Sequence, residues 1–236
     1  YFLKNNGTLW GSGMSRYGAM GQDTFNSIKI PALVAENVNH VFGSHEAVLF
    51  TKKNQGLYGL GNNRTFKLGG GGHNNQYKLV KVLDGNVSYV ASGYEHSVLL
   101  KKDGSVFTMG SDGDGRLGNG RSNRHESYPQ KIIDENATRI STFFKHTLVM
   151  KDDGSLWGFG RNVYGQLGDG TKTNRNIPVQ IMDANVSACA AGENHSLFVL
   201  KDGSLWGMGE NHKGQLGDGT TTNRKIPVKI MDAHVS

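Results

Sequence analysis

The sequence predicts an all-β propeller of about five four-stranded blades. The first observation behind this prediction is an internal repeat of about 49 residues, marked by an aromatic side chain with spacings of 48, 49, 50 and 49 at Trp10, Tyr58, Phe107, Trp157 and Trp206. The second is a set of short apolar runs with tight turns in each copy, and the third is the absence of a helical period. Several short strands per 40–50 residues are typical of one propeller blade. Because one small sheet cannot bury both of its faces, consecutive units are expected to stack.

The strands can be placed on the fifth copy in order. Residues 195–200 and 204–209 are two apolar runs that flank Asp202-Gly203, and residues 178–181 and 186–190 supply two further strands. An Asp-Gly pair between apolar runs favours a β-hairpin with a type I′ turn, in which both central residues have φ > 0. The same signal recurs at Asn6-Gly7, Asp103-Gly104 and Asp153-Gly154.

Composition excludes several classes of protein. The chain has 236 residues, 34 of them glycine, but no Gly-X-Y period and therefore no collagen helix. It has no apolar stretch of about 18 residues, so we expect no membrane insertion. The single cysteine cannot form an internal disulfide. The net charge is +6, yet no basic run exceeds two residues, which argues against nucleic-acid binding and indicates a mildly basic solvated surface.

A Gly-x-x-Gly turn and a later proline complete most copies, and residues 154–187 and 203–236 match best. The motif resembles the regulator of chromosome condensation repeat over essentially the whole chain. That resemblance implies a β-propeller, usually of seven blades. Its relatives include an exchange factor for a small GTPase that docks on chromatin, a plant ultraviolet-B photoreceptor and secreted bacterial proteins. The family shares a fold and diverges in function, so the resemblance predicts the fold first.

The expected organisation is a single propeller domain or an excerpt of one. The repeat units run approximately over residues 1–38, 39–87, 88–137, 138–186 and 187–236. Five periods of 49 exceed the chain by nine residues, so it starts and stops inside one blade. Two interpretations stay open: five repeats of a longer, seven-bladed ring, or a five-unit ring in which residues 1–4 complete the last blade. Residue 1 is Tyr and no signal peptide follows, so we expect a trimmed or processed piece and leave localisation open.

Residues that recur in every copy are interpreted as structural. The recurring aromatic position is expected to pack the blades, and His96, His146 and His195 are expected to bond a neighbouring turn. One histidine per blade does not converge on a metal, so we predict no metal site and no cofactor. No G-x-S-x-G, P-loop or H-E-x-x-H motif occurs, which predicts no catalytic residues and no enzyme.

One loop position repeats a possible ion pair. Arg124, Arg175 and Arg224 share this position, and Asp169 and Asp218 lie six residues before the latter two. We interpret the pair as a tie within the loop, and the alternative is a cationic ring for an acidic partner.

Function is expected at loop positions where the residues differ between copies although the flanking motif residues are the same. One variable set precedes the recurring histidine, and the other lies between the strand-ending glycine and the Gly-x-x-Gly turn. Hairpin geometry places both sets at the same end of each sheet, opposite the Asp-Gly turns. We call this surface the variable rim and define it by Arg16, Tyr17, His45, Arg64, Tyr94, Glu95, Asp114, Phe144, Lys145, Tyr164, Glu193, Asn194, His212 and Lys213. Its aromatic and charged residues are typical of a binding interface.

The sequence therefore predicts a non-enzymatic module that binds a protein partner through the variable rim. The first alternative is an exchange-factor-like regulator of a small GTPase or a chromatin binder. The resemblance implies that the exchange factor contacts its GTPase through a wedge inserted in the repeats, and the uniform repeat lengths here leave no room for such an insertion. The second alternative is a carbohydrate-binding or enzyme-accessory module. A small-molecule ligand is neither predicted nor excluded.

Overall fold

The computed structural model describes residues 1–21, 26–53 and 56–232, which form short antiparallel strands joined by tight loops. In chain order the strands are β1 (Phe2–Leu3), β2 (Leu9–Gly13), β3 (Ile28–Ala35), β4 (Val38–Ser44), β5 (Ala47–Lys52), β6 (Leu57–Gly61), β7 (Gln76–Leu83), β8 (Val87–Ser92), β9 (His96–Lys101), β10 (Val106–Ser111), β11 (His125–Ile133), β12 (Ala137–Thr142), β13 (His146–Lys151), β14 (Leu156–Gly160), β15 (Arg175–Met182), β16 (Val186–Ala191), β17 (His195–Leu200), β18 (Leu205–Gly209) and β19 (Arg224–Met231). A single 3-10 turn at Gly113–Gly115 is the helical element among these residues.

The strands form five sheets in which neighbours along the chain are neighbours in the sheet. Sheet 1 contains β1–β3, and sheets 2 to 5 contain β4–β7, β8–β11, β12–β15 and β16–β19. The all-β prediction of about five units is confirmed, with four strands in sheets 2 to 5. Within the described residues sheet 1 has three strands. Its first strand, β1, corresponds to β17, the second strand of sheet 5, so sheet 1 has no equivalent of β16. The strand that would complete sheet 1 in a five-unit ring is the equivalent of β16, whose first position corresponds to residue 235, outside the described residues.

The Asp-Gly hairpin turn differs from the predicted type I′ turn. In the fifth copy the Gly203 amide donates to the Leu200 carbonyl at 2.9 Å, and the Leu200 amide donates to the Ser204 carbonyl at 3.0 Å. Gly203 has φ 80, whereas Asp202 is not among the residues with positive φ. The turn is therefore a four-residue turn that ends in a left-handed glycine. Asp202 stabilises it by accepting hydrogen bonds from the Ser204 amide at 2.8 Å and hydroxyl at 2.6 Å.

The chain divides into two compact units. The first comprises Tyr1–Asp103, Phe107–Ser111 and His125–Gln130, and the second comprises Gly104–Val106, Asp112–Arg124 and Lys131–Ser236.

Sheet 2 in the first unit is buried on both faces. Val48 and Phe50 of β5 pack in one apolar cluster with Leu9 of sheet 1, and the residue between them, Leu49, packs in another cluster with Val90 of sheet 3. All three β5 residues are fully buried. Since alternate residues of a strand point to opposite faces, β5 contributes to both clusters. Burial of each such side chain is worth about 1.5–3 kcal/mol, so stacking of the sheets holds this unit together.

The second unit repeats this arrangement. Leu148 and Leu156 of sheet 4 share an apolar cluster with Val186, Phe198 and Met208 of sheet 5. The first strands of these sheets, β12 and β16, lie against each other, as β4 and β8 do in the first unit.

Candidate functional site

The two variable loop sets meet at one end of sheets 2 to 5. In sheet 5, His195 pairs with Gly209, and the Glu210 amide donates to the Asn194 carbonyl at 2.8 Å. The equivalent bond joins Arg161 to Lys145 in sheet 4 at 2.9 Å. Each hairpin therefore joins one loop of each set.

The loops of the variable rim are supported by a repeated buried asparagine. Asn162 is fully buried; its side-chain oxygen accepts from the Leu167 amide at 2.9 Å, and its amide group donates to Asp169 at 2.9 Å. The other Asp169 oxygen accepts from Arg175 at 2.7 Å. Burial by itself raises the pKa of the Asp169 carboxyl. The hydrogen bonds from Thr171, Arg175 and Asn162 together lower it by more, so the pKa lies below its ordinary value. This confirms the tie within the loop.

The fifth copy repeats the tie through Asn211, Asp218 and Arg224, with Arg224 Nε 2.6 Å from the carboxylate. Arg175 and Arg224 are thus engaged by their own loops, and the alternative of a cationic ring is not supported at these two positions.

In the first unit, three rim residues form a stack on one ring. The guanidinium carbon of Arg16 lies 5.4 Å from the centroid of the Tyr17 ring, and that of Arg64 lies 5.3 Å from the same centroid. Both arginines are exposed and Tyr17 is half-buried. Distances below about 6 Å are in the range of cation–π attraction.

A second group in this unit contains His45 and Tyr94, whose rings lie 5.2 Å apart. Tyr94 is 47% exposed. The buried Lys67 ammonium donates to the His45 carbonyl oxygen. Burial lowers the Lys67 pKa to about 8, although the Glu46 and Glu95 carboxylates act in the opposite direction. The group therefore combines an exposed aromatic pair with a buried cation.

In the second unit, Asp114 lies among three cations. Its Oδ2 is 3.5 Å from Arg116, 3.6 Å from Lys145 and 3.7 Å from Arg161, and its Oδ1 accepts from Asn174 at 3.1 Å. Lys145 also lies 5.3 Å from the centroid of the Phe144 ring. Asp114 has φ 67, a left-handed conformation that is uncommon for a residue other than glycine.

The remaining rim residues lie on sheets 4 and 5. His212 is 3.0 Å from Glu210, which also accepts from the Asn194 amide at 3.3 Å. Glu193, His212 and Lys213 are exposed, whereas Tyr164 is half-buried.

Sequence reasoning missed the residues that organise these groups. Lys67 and Arg116 are 2% and 3% exposed and occupy the position that Gln166 and Gln215 hold in later copies. The sequence signal is a cation in the second and third copies at a position that holds glutamine in the fourth and fifth and Ala19 in the first. Arg161, another partner of Asp114, lies one residue after the strand-ending glycine.

One of the recurring histidines, His146, connects neighbouring sheets. His146 is fully buried, and its Nε2 lies 2.8 Å from Ser196 Oγ. The Ser196 hydroxyl donates to the Gln166 carbonyl at 2.8 Å, so Nε2 carries the proton that Ser196 accepts. His146 was expected to bond a neighbouring turn. Its ring instead bonds a strand of the next sheet, and the Ser196 hydroxyl in turn bonds the turn that contains Gln166. Burial, with the nearby His195, lowers the His146 pKa to about 3.

The recurring aromatic is half-buried at the Asp-Gly end of each sheet. A lysine lies over every ring, at 4.4 Å for Lys4 on Trp10, 5.0 Å for Lys52 on Tyr58, 4.9 Å for Lys101 on Phe107, 4.7 Å for Lys151 on Trp157 and 6.0 Å for Lys229 on Trp206. The indole nitrogen of Trp206 donates to the Ser204 hydroxyl at 2.9 Å, which ties the ring to the hairpin turn.

Residues 1–21, 26–53 and 56–232 contain no group of three His, Cys, Asp or Glu residues suited to a metal ion. Burial raises the pKa of the Cys189 thiol to about 11, which disfavours a reactive thiolate. Over the same ranges, no helix has the length and apolar character required to cross a bilayer.

Comparison with known proteins places this geometry in a family. No curated protein sequence matches the chain. Among solved structures, human WBSCR16 is similar with a TM-score of 0.80 and 24% identity over 94% of this chain and 61% of that one. Prp20p from Saccharomyces cerevisiae gives 0.79 and 21% over 96% and 60%, in a structure reported with its binding to Gsp1p and histones. The yeast protein bound to Kap60 gives the same TM-score and identity over 96% and 57%.

The chain thus spans about 60% of the length of these structures, and at such identities the likeness shows the fold. The model of the regulator of chromosome condensation (RCC1) repeat matches residues 103–145, 153–199 and 202–235. A second model of that repeat matches residues 87–116 and 186–215. Together with the five sheets, these matches show that the chain belongs to the regulator of chromosome condensation repeat family and has its β-propeller fold.

Proposed function

We propose that the chain is a non-enzymatic module that binds a partner protein through the variable rim. The observation that carries the proposal is the group of exposed aromatic and charged side chains at the loop ends of each unit, of which Tyr94 on His45 is the clearest. Tyr and Arg are enriched among residues that dominate binding energy at protein interfaces. A rigid sheet that presents variable loops is a common way to position such residues.

The frame beneath the loops supports this proposal. The buried Asn162 and Asn211 hold the same hydrogen bonds in two copies, while the residues between them and the turn change from Val163-Tyr164 to His212-Lys213. Loop residues that differ between copies can change what is bound, while the hydrogen bonds that hold the loops keep the fold the same. A pre-organised loop also loses less conformational entropy when it binds.

The test is affinity capture with two matched triple variants. The first replaces Tyr94, Phe144 and Tyr164 with alanine. The control replaces three exposed residues of the opposite hairpin turns with alanine, namely Lys102, Asp152 and Lys201. We expect the first variant to lose the proteins that the wild type captures and the control to retain them, with equal thermal stability. Capture that is equal in both variants would overturn the proposal.

The second candidate is a regulator of a small GTPase, favoured by the structural likeness to Prp20p, which binds Gsp1p. It is tested by the rate at which Gsp1p releases a fluorescent guanine nucleotide in the presence of the chain. Acceleration that requires the variable rim would support this candidate, and an unchanged rate would exclude it for Gsp1p.

A further inference from the structure

The Arg16–Tyr17–Arg64 stack in the first unit brings two positive charges to one aromatic ring. We propose that Arg16 and Arg64 form a binding site for a phosphomonoester group on a protein partner. This inference rests on the proposed function and specifies the chemistry that part of the variable rim recognises.

The two arginines come from the same position in consecutive repeats. Arg16 precedes the first Gly-x-x-Gly turn, and Arg64 holds the corresponding position 48 residues later. Both guanidinium carbons lie within 5.4 Å of the Tyr17 ring centroid, so the two positive charges share one aromatic neighbour. A planar guanidinium that stacks on a ring keeps its edge N–H groups free for an oxyanion.

The backbone under each arginine is held in place. In the first loop, the Gly18 amide donates to the Ser15 carbonyl at 2.9 Å. In the second, the Arg64 amide donates to Asn62 Oδ1 at 3.1 Å, and the fully buried Asn63 accepts from the Leu68 amide at 2.9 Å. The backbone that carries each arginine is therefore pre-organised, which lowers the entropic cost of binding an anion.

Neither guanidinium has an ion-pair partner among the described residues, unlike other arginines of the same loops. Arg175 is paired with Asp169 and Arg161 with Asp114. The nearby Glu46 carboxylate accepts from the Asn62 amide at 2.9 Å and lies beside the buried Lys67. Glu46 is thus engaged by these other groups, and among the described residues no ion pair competes with a ligand for Arg16 or Arg64.

A phosphomonoester suits the pair better than a single carboxylate. It carries a charge of about −1.5 to −2 near pH 7 and three strong acceptor oxygens, which match two guanidinium groups in charge and donor geometry. A carboxylate has one charge and two oxygens, which a single guanidinium can satisfy. Because both arginines are exposed, a side chain that protrudes from a partner reaches them without movement of the fold.

The direct test is a titration of the full chain with phosphoserine, phosphotyrosine, inorganic phosphate and glutarate, followed by the NMR signals of the arginine Nε–H groups. We expect the phosphoamino acids to shift the Arg16 and Arg64 signals and to bind more tightly than glutarate. Arg16→Gln and Arg64→Gln should each raise Kd at least fivefold, whereas Lys201→Gln, an exposed cation of an opposite hairpin turn, should leave it unchanged. Equal binding of glutarate, tighter binding of inorganic phosphate, or unchanged affinity in both arginine variants would overturn the site.

Partner capture separates this inference from the proposed function. If phosphatase treatment of the partner and the Arg16→Gln/Arg64→Gln double variant both weaken capture, the site is supported. If capture survives both but fails when Tyr94, Phe144 and Tyr164 are alanine, the phosphate site is wrong and the proposed function stands. If capture is unaffected by either set of variants, the proposed function itself fails.

Discussion

Replacement of Lys67 by glutamine tests the electrostatics of the variable rim. Glutamine is the residue that later copies carry at this position, in Gln166 and Gln215, so the change suits the turn. Lys67 is 2% exposed, and burial lowers its pKa from 10.5 to about 8. Between these two values the unfolded chain holds the lysine proton and the folded chain does not, so stability rises with pH.

The size of this effect follows from the shift. At 1.36 kcal/mol per pKa unit, the wild type should gain about 2–3 kcal/mol relative to Lys67→Gln between pH 7.5 and pH 10. Other titrating groups are common to both proteins and cancel in the difference. The measurement is urea unfolding followed by tryptophan fluorescence at the two pH values. Parallel pH profiles of the two proteins would refute a buried lysine with a lowered pKa.

Three further substitutions test the packing between sheets in the second unit. At Gly165, φ is +83 and an added Cβ would lie 2.5 Å from Lys225 Cα, whereas at Gly214 the nearest atom is 3.9 Å away. Gly165→Ala should therefore cost about 3 kcal/mol or more and Gly214→Ala about 1 kcal/mol in urea unfolding, and equal costs would contradict the stacking. His146→Gln removes a buried histidine whose pKa falls from 6.5 to about 3. Because the unfolded wild type takes up that proton first, wild type should lose about 2–3 kcal/mol relative to the variant between pH 7 and pH 4.5, and parallel losses would contradict the burial.

The sheets could be predicted because the same local rules recur in every copy. The Asp-Gly pairs located the hairpins, and the aromatic spacing located each β-strand that follows them. The predicted type I′ turn is wrong because the Asp-Gly pair belongs to a longer turn and is not a two-residue loop. In the structure the turn begins at Leu200, and only Gly203 takes the left-handed conformation.

The contacts of the variable rim were harder to predict. The loops that carry Arg64 and Tyr17 could be placed at one end of their sheets, but contact between these two side chains depends on rotamers and on the stacking of sheets 1 and 2. Lys67 and Arg116 were missed because they lie inside the Gly-x-x-Gly turn, which is expected to be structural, and outside the two variable loop sets. Their burial makes such departures informative, since a buried cation needs specific partners.

Site-specific photo-crosslinking tests most directly whether the variable rim binds a partner protein. Benzoylphenylalanine replaces Tyr94 or Tyr164 at the variable rim, and Lys102 or Lys201 at the opposite hairpin turns, in otherwise unchanged protein. The account predicts that one partner is crosslinked from positions 94 and 164 and not from positions 102 and 201. Crosslinks from the hairpin-turn positions alone would contradict it.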